Sequence, residues 1–428
     1  MNTNSFLAQN ASQRWPKARL GNLLVPWPEI RMNQKSHSWE DFLDDSLASL
    51  DRSYLRRRKL VTRHLPGAWV ERDGQMLVNF GGNDYLGLRN NTQVVAAAIT
   101  ALQADGVGSG ASPAVCGYSP EQLRLEARLG QLNQSPAALV FSSGYACNLA
   151  TISSLVSDQD VLYSDALNHA SLIDGCRLSK ASRQIYPHND VQQLRECLAN
   201  TRHRFQRALI VTESVFSMDG DTAPLVELAE LAEQYNCGLI VDEAHATGIY
   251  GARGAGLIEE LGLTGRVFAK LGTLSKAIGC LGGYLCGSQN LIDHVLNFGR
   301  AYMFSTALPS SVLSAATASV ELIESRVAER SALRSTAKRI RLDLRRMGWH
   351  ALGEDSPILP VVLGDERTAL ELCTALQAAG LFVPAIRPPT VPVGTSRLRI
   401  SLSCEHTDTQ IESLLNALAR CRSVAPPL

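Results

Sequence analysis

Four short stretches hold the residues whose types and spacing suit chemistry. Lys276 stands in Thr273-Leu274-Ser275-Lys276 among small, uncharged neighbours, and Asp242 opens Asp242-Glu243-Ala244-His245 directly after the apolar run Leu239-Ile240-Val241. His169 lies in Leu167-Asn168-His169-Ala170-Ser171, and Ser143-Gly144-Tyr145 opens a helical stretch after another apolar run. Each has an ordinary explanation when taken alone: a surface lysine, a helix-capping aspartate, a loop histidine, a generic helix start. Together they suit pyridoxal phosphate. A lysine forms the Schiff base, a carboxylate keeps the pyridine nitrogen protonated so that the ring acts as an electron sink, and a helix N-terminus receives the phosphate. His169 is then placed to stack on the free face of the ring.

Such residues need a frame that brings them to one edge. The middle of the chain repeats a short apolar run, a turn and a helical stretch, with runs at 137–141, 161–163, 208–212, 238–241, 267–270 and 283–286. That alternation predicts right-handed crossovers and a mostly parallel sheet buried on both faces. Ligands in such sheets bind beyond the carboxyl ends of the strands, which is where all four stretches fall. Upstream, helical spacing from Asp41 to Leu60 predicts an amphipathic helix with Arg56-Arg57-Arg58 at its basic end, followed by a strand at 77–80. Past Pro309 the pattern predicts a long helix over about 310–347, strands at 358–363 and 398–401, and a helix at 367–379, in a smaller α+β domain. The expected divisions are an extension with little order over 1–37, an N-terminal helix and strand over 38–84, a large cofactor-binding domain over 85–307 and a small domain over 308–428. Met32 is a second candidate start.

Composition narrows the partners. Lys+Arg and Asp+Glu are both 41, so no basic excess exists for nucleic acid or an anionic lipid surface. The 10 cysteines form no C-x-x-C pair and no zinc spacing, which predicts no metal, no disulfide and a reducing, cytoplasmic compartment. Ser142-Ser143-Gly144 and Asn148 interrupt the longest uncharged stretch, 135–157, so it is not read as a membrane span, and residues 1–37 lack the apolar core of a secretory signal. Gly106-Val107-Gly108-Ser109-Gly110 has neither the G-x-G-x-x-G spacing nor a Gly-Lys-Ser/Thr ending, which excludes a nucleotide loop there.

Five motifs, Asn83-Asp84-Tyr85-Leu86-Gly87, Asn168-His169-Ala170-Ser171, Thr212-Glu213-Ser214-Val215-Phe216-Ser217-Met218-Asp219-Gly220, Asp242-Glu243-Ala244-His245 and Thr273-Leu274-Ser275-Lys276, occur in the order in which they resemble the α-oxoamine synthases. These are fold-type I pyridoxal-phosphate enzymes that condense an amino acid with an acyl thioester and release CO2. The resemblance runs from about residue 38 to the C-terminus. It implies an α/β large domain on a mostly parallel seven-stranded sheet flanked by helices, a smaller α+β C-terminal domain, and a homodimer with shared active sites. It also implies roles. Lys276 is the Schiff-base lysine and the acid/base at Cα, Asp242 pairs the pyridine nitrogen, and His245 and Ser217 lie near the phenolic oxygen. His169 stacks, while Gly144, Tyr145 and Thr273 reach the phosphate, joined by Ser305 and Thr306 from a partner subunit. Arg399 and Asn83 hold the amino acid's carboxylate, and Arg56 and Thr390 contact the acyl substrate. The segment from Ala385 to Arg399 is similar to the biotin-pathway branch, implying L-alanine and a pimeloyl thioester, on CoA or acyl carrier protein, as substrates. The alternatives are another branch, using glycine or serine with a different thioester, and a non-catalytic paralogue. Ala246 and Gln122 depart from the family pattern, and residues 1–37 have no counterpart in it.

Overall fold

The computed structural model describes residues 38–422; the extension expected over 1–37 and the start at Met32 lie outside the described residues. A seven-stranded sheet runs in the spatial order Ala137–Phe141, Gly283–Gly287, Ala269–Thr273, Gly238–Asp242, Ala208–Glu213, Val161–Asp165, Ser182–Tyr186. The last five strands are parallel, and Gly283–Gly287 is antiparallel to both its neighbours. Ala208–Glu213 and Val161–Asp165 are buried at every residue, the continuous apolar pattern of strands covered by helices on both faces. The edge strand Ser182–Tyr186 is mostly polar and exposed, so no apolar run announces it.

The smaller C-terminal unit pairs His350–Ala351, Ile358–Gly364, Ser396–Ser401 and Ala385–Ile386 in an antiparallel sheet. Thr62–His64, Trp69–Arg72 and Gln75–Asn79 form a meander that takes Leu381–Phe382 as a parallel fourth strand. The segment before residue 84 therefore shares a sheet with the C-terminal part of the chain, and Ser401 N–H donates to the Phe80 carbonyl at 2.7 Å.

Three local expectations are corrected. The first helix is Trp39–Arg52, not 41–60: the N–H groups of Leu55 and Arg56 fold back onto the Leu50 carbonyl (2.8 and 3.1 Å), and Tyr54 turns left-handed at φ 57°. Arg56 to Arg58 thus lie beyond the helix. The long helix expected over 310–347 is two, Ser310–Ser325 and Val327–Arg346, interrupted at Arg326, whose backbone leaves helical geometry while its guanidinium donates to the Leu86 carbonyl at 3.1 Å. The strand expected at 267–270 is Ala269–Thr273, since Phe268 is still half exposed at the sheet entrance. Among the described residues no helix is long and apolar enough to cross a membrane, and no group of three or more His, Cys, Asp or Glu side chains could hold a metal ion. The cysteines of the described residues are free thiols.

Candidate active site

Strand register builds the floor of the site. Glu213 pairs with Asp242, and on the next strand Asp242 pairs with Leu271, so Thr273 ends that strand two residues further out at the same carboxyl edge. No helix follows Asp242, which excludes the capping explanation. Its Oδ1 accepts from Ala244 N–H at 2.9 Å and its Oδ2 from the Asn148 side-chain amide at 2.8 Å. Asn148 spends its other amide hydrogen on Ser171 Oγ at 2.8 Å, and Ser171 Oγ lies 2.7 Å from His169 Nδ1. Ser171 N–H also donates to that nitrogen, at 3.2 Å, so Nδ1 is the acceptor and the ring is neutral. Burial pushes the His169 pKa down further, against the opposing pull of Asp242.

Lys276 sits above this floor, and among the described residues its Nζ has no hydrogen bond or ion pair. Withdrawal from water holds its pKa below the usual lysine range, partly offset by Asp242 and Glu213. Lys270, buried within the strand Ala269–Thr273, differs: its ammonium donates to the Ala255 carbonyl and lies 3.6 Å from Glu243. Glu213 is buried, accepts from His169 N–H at 2.6 Å, and has its pKa driven well up by burial and then by Asp242. His245 is buried, 2.7 Å from the Tyr85 hydroxyl through Nδ1, and burial followed by the charges of Lys276 and Arg399 keeps it neutral.

A second wall comes from the C-terminal unit. Arg399 donates through Nε to the Ser217 carbonyl at 2.7 Å and through Nη1 to Asn83 Oδ1 at 3.1 Å and Ser401 Oγ at 2.8 Å. Arg399 is 5% exposed, and its guanidinium also lies within hydrogen-bonding reach of the buried Tyr85 hydroxyl. A guanidinium fixed at this wall is a planar donor group suited to an anion in the cleft.

At the opposite side, Ser143 caps the helix Gly144–Leu155 by accepting from Ala146 N–H at 3.1 Å, which leaves the N–H groups of Gly144 and Tyr145 unused by the helix. Glycine is required at 283, where a Cβ would meet Gly144 Cα at 2.5 Å, and a Cβ on Gly144 would press on Thr273 at 3.3 Å. The close approach brings Thr273 Oγ1, itself 2.8 Å from Ser275 Oγ, against the helix start.

Other expected residues lie differently. The Tyr145 hydroxyl is bound to Asp174, so only its backbone N–H serves the helix start. Ser305 and Thr306 line a cleft with Phe141 and Ser142, and the preceding Phe304 is 69% exposed. Arg56 pairs with Asp51 at 2.6 Å, while its neighbour Arg57 reaches across to the Pro388 carbonyl at 3.1 Å. Arg387 in turn donates to the Tyr54 carbonyl and accepts from Thr390 N–H at 3.2 Å, so the segment 54–57 packs against 387–390, where Thr390 is exposed. Gln122 is buried with its amide on Glu126 at 3.0 Å and Ala246 is fully buried, so both departures from the family pattern are packed.

Three residues of the site were given no role from the sequence. Glu213 follows the apolar run 208–212 as Asp242 follows 238–241, so its stretch was expected to carry chemistry without a role for the carboxylate itself. Asn148 is an amide inside the otherwise apolar first turns of a helix, and Tyr85 sits within the Asn83–Gly87 motif. A half-buried amine, a fixed guanidinium, a braced carboxylate and a free helix start facing one cleft fit an anionic, carbonyl-bearing ring cofactor.

The comparisons agree with that fit. Residues 75–418 match the aminotransferase class I and II family. An 8-amino-7-oxononanoate synthase from Anaeromyxobacter dehalogenans is 45% identical over 387 residues, covering 90% of this chain and 97% of the relative. One from Delftia acidovorans is 43% identical over 406 residues, covering 92% and 100%. Among solved structures, a serine palmitoyltransferase from S. paucimobilis with bound PLP superposes with a TM-score of 0.84 at 32% identity, covering 90% of this chain and 98% of that one. An 8-amino-7-oxononanoate synthase from Francisella tularensis gives 0.69 at 28% identity, covering 80% and 97%.

Proposed function

The chain belongs to the class I and II aminotransferase family, in its α-oxoamine synthase branch, as a pyridoxal-phosphate-dependent acyltransferase, and from that premise we propose that it condenses L-alanine with a pimeloyl thioester, releasing CO2 and the free thiol. The product is 8-amino-7-oxononanoate. The observation that carries this reading is that relatives of that activity match about nine-tenths of the chain at 43–45% identity, well above the 32% of the serine palmitoyltransferase.

Pyridoxal phosphate, when bound, supplies a ring that delocalises the electron pair left at the substrate's Cα. The chain's residues do the rest. Lys276 holds the cofactor covalently and, with its lowered pKa, takes and returns the Cα proton through Nζ. Asp242, braced by Asn148 and Ala244, keeps the pyridine nitrogen protonated, and Glu213 fixes the backbone of His169. His169 stacks on the ring through its exposed face. Because the Tyr85 hydroxyl is at Nδ1, His245 is free to donate from Nε2 toward the phenolic oxygen, beside Ser217. Gly144, Tyr145 and Thr273 bind the phosphate, with Ser305 and Thr306 reaching in from a second copy of a cytoplasmic homodimer. Arg399 and Asn83 receive the alanine carboxylate, and Arg56 and Thr390 the acyl substrate, whose carrier is CoA or acyl carrier protein. A change in the bound cofactor's visible absorbance that saturates with L-alanine at lower concentration than with glycine or L-serine supports the assignment; saturation with glycine or serine but not alanine rejects it.

A further inference from the structure

We propose that His188 is a positioning residue for amino-acid recognition: held as an imidazolium between Asp165 and Asp221, it anchors the hairpin 214–223, whose Ser217 carbonyl aims Arg399 into the cleft. The inference rests on the reading that Arg399 receives the amino acid's carboxylate.

The ring is bonded on both sides. Nδ1 is 2.9 Å from Asp165 Oδ1 and Nε2 is 2.9 Å from Asp221 Oδ2. Neither carboxylate is placed to donate, since Asp165 also accepts from Leu167 N–H and Asn189 N–H at 2.8 and 2.9 Å, and Asp221 from the Asn189 amide at 3.1 Å. The Asn189 amide also lies 3.3 Å from Nε2, but its two hydrogens have nearer acceptors in Asp221 Oδ2 and the Thr222 carbonyl at 3.1 and 3.2 Å, so both ring nitrogens donate to the carboxylates, which only the cation can do. Burial pulls the other way, but the two carboxylates outweigh it and hold the pKa at about 10. The edge of the ring also packs on Phe216, with centroids 4.3 Å apart.

What His188 holds is a latch between the two units. Val215 bridges Thr222, Phe216 N–H donates to the Asp221 carbonyl at 3.0 Å, and Gly220 N–H to the Phe216 carbonyl at 2.9 Å, closing a tight hairpin. Its base is fixed to the large sheet through Asp221, His188 and Asp165. Among the described residues the C-terminal unit bonds its tip: Arg399 donates to the Ser217 carbonyl, Arg397 to the Met218 carbonyl and Asp219, and Ser356 Oγ to the Gly220 carbonyl at 2.6 Å. Any slack at the base therefore passes to the Nε bond that orients Arg399. His188 lies on no strand end of the chemistry and touches none of the residues assigned to the cofactor.

L-alanine titrated into the holoenzyme, followed by visible absorbance, tests this with His188→Gln, Asp221→Asn, Arg399→Ala and the His188→Gln/Arg399→Ala pair. His188→Gln is expected to weaken L-alanine binding about tenfold, the scale of one misaligned charge-assisted hydrogen bond, with the KM for the thioester unchanged. Asp221→Asn, which keeps the side chain's size, is expected to do the same and replaces His188→Gln should that variant fold poorly. In the Arg399→Ala background His188→Gln is expected to add nothing, because it acts through that guanidinium. Nitrogen-15 spectra of the holoenzyme, assigned by loss of signal in His188→Gln, are expected to show both ring nitrogens of His188 protonated at pH 8. Unchanged L-alanine affinity in Arg399→Ala would overturn the carboxylate assignment and the inference with it. Loss in Arg399→Ala with wild-type affinity in His188→Gln or Asp221→Asn, additive effects in the pair, or an unprotonated His188 nitrogen at pH 8 would overturn the inference alone.

Discussion

Asn148→Leu isolates what the bracing of Asp242 contributes. The side chain is buried, so the leucine replaces an amide of similar size without reaching solvent. The substitution removes the 2.8 Å donor from Asp242 Oδ2 and the 2.8 Å donor from Ser171 Oγ, while the Ala244 N–H bond to Oδ1 stays. A hydrogen bond to a charged group is worth about 1.5–3 kcal/mol, and each 1.4 kcal/mol is tenfold in rate, so removal of L-alanine's Cα proton should slow by about 10- to 100-fold. Cofactor binding survives, since Lys276 and the helix start are untouched. The assay is solvent deuterium exchange at Cα of L-alanine, followed by proton NMR with no thioester present, beside a melting curve to verify the fold. Exchange within twofold of wild type in a folded variant refutes the argument that Asn148 sustains the Asp242 charge.

Lys276→Ala should leave folding intact and reduce turnover by about 10³-fold or more, because one amine serves as both attachment point and acid/base; product formation near the wild-type rate in a steady-state assay would contradict that. Arg56→Ala should raise the KM for the thioester about tenfold while the spectral response to L-alanine stays the same; equal effects on both substrates would reassign Arg56 to its structural pair with Asp51. Stability should fall on both sides of neutrality for separate reasons. His188 has a folded pKa raised from 6.5 to about 10, so its contribution is full below pH 6.5 and is lost as pH rises through about 10. His406, stacked on Phe80 and accepting from Ser403 N–H at 2.9 Å, has its pKa lowered by burial to about 4, so its contribution is full above pH 6.5 and is lost as pH falls through about 4. Urea unfolding across this range, with His188→Gln flattening only the alkaline limb, is the expected pattern; identical profiles for wild type and variant would contradict it.

Most of the cleft was legible because parallel sheets put their chemistry at strand ends, and apolar runs mark those ends. Lys276, Asp242, His169 and the Gly144 helix start were read that way, and the structure brings them to one edge. What escaped reading depends on tertiary partners. The polar edge strand Ser182–Tyr186 is specified by pairing with Val161–Asp165 and has no apolar run of its own. The break at Arg326 involves neither glycine nor proline and coincides with a bond to the Leu86 carbonyl, 240 residues away in sequence. Glu213 was visible as the residue ending a run, but its importance comes from its register opposite Asp242. Tyr145 was expected at the phosphate as part of a helix start, and with its hydroxyl bonded to Asp174 the backbone N–H is what it offers there.

The central claim is the pairing of substrates, and its most direct test is a product assay on the purified enzyme. With L-alanine and a pimeloyl thioester, on CoA or on acyl carrier protein, mass spectrometry should find 8-amino-7-oxononanoate with CO2 and free thiol in equal amounts, and Lys276→Ala should make none. Absence of that product, with turnover of glycine or L-serine and a different acyl thioester by the same preparation, would contradict the account.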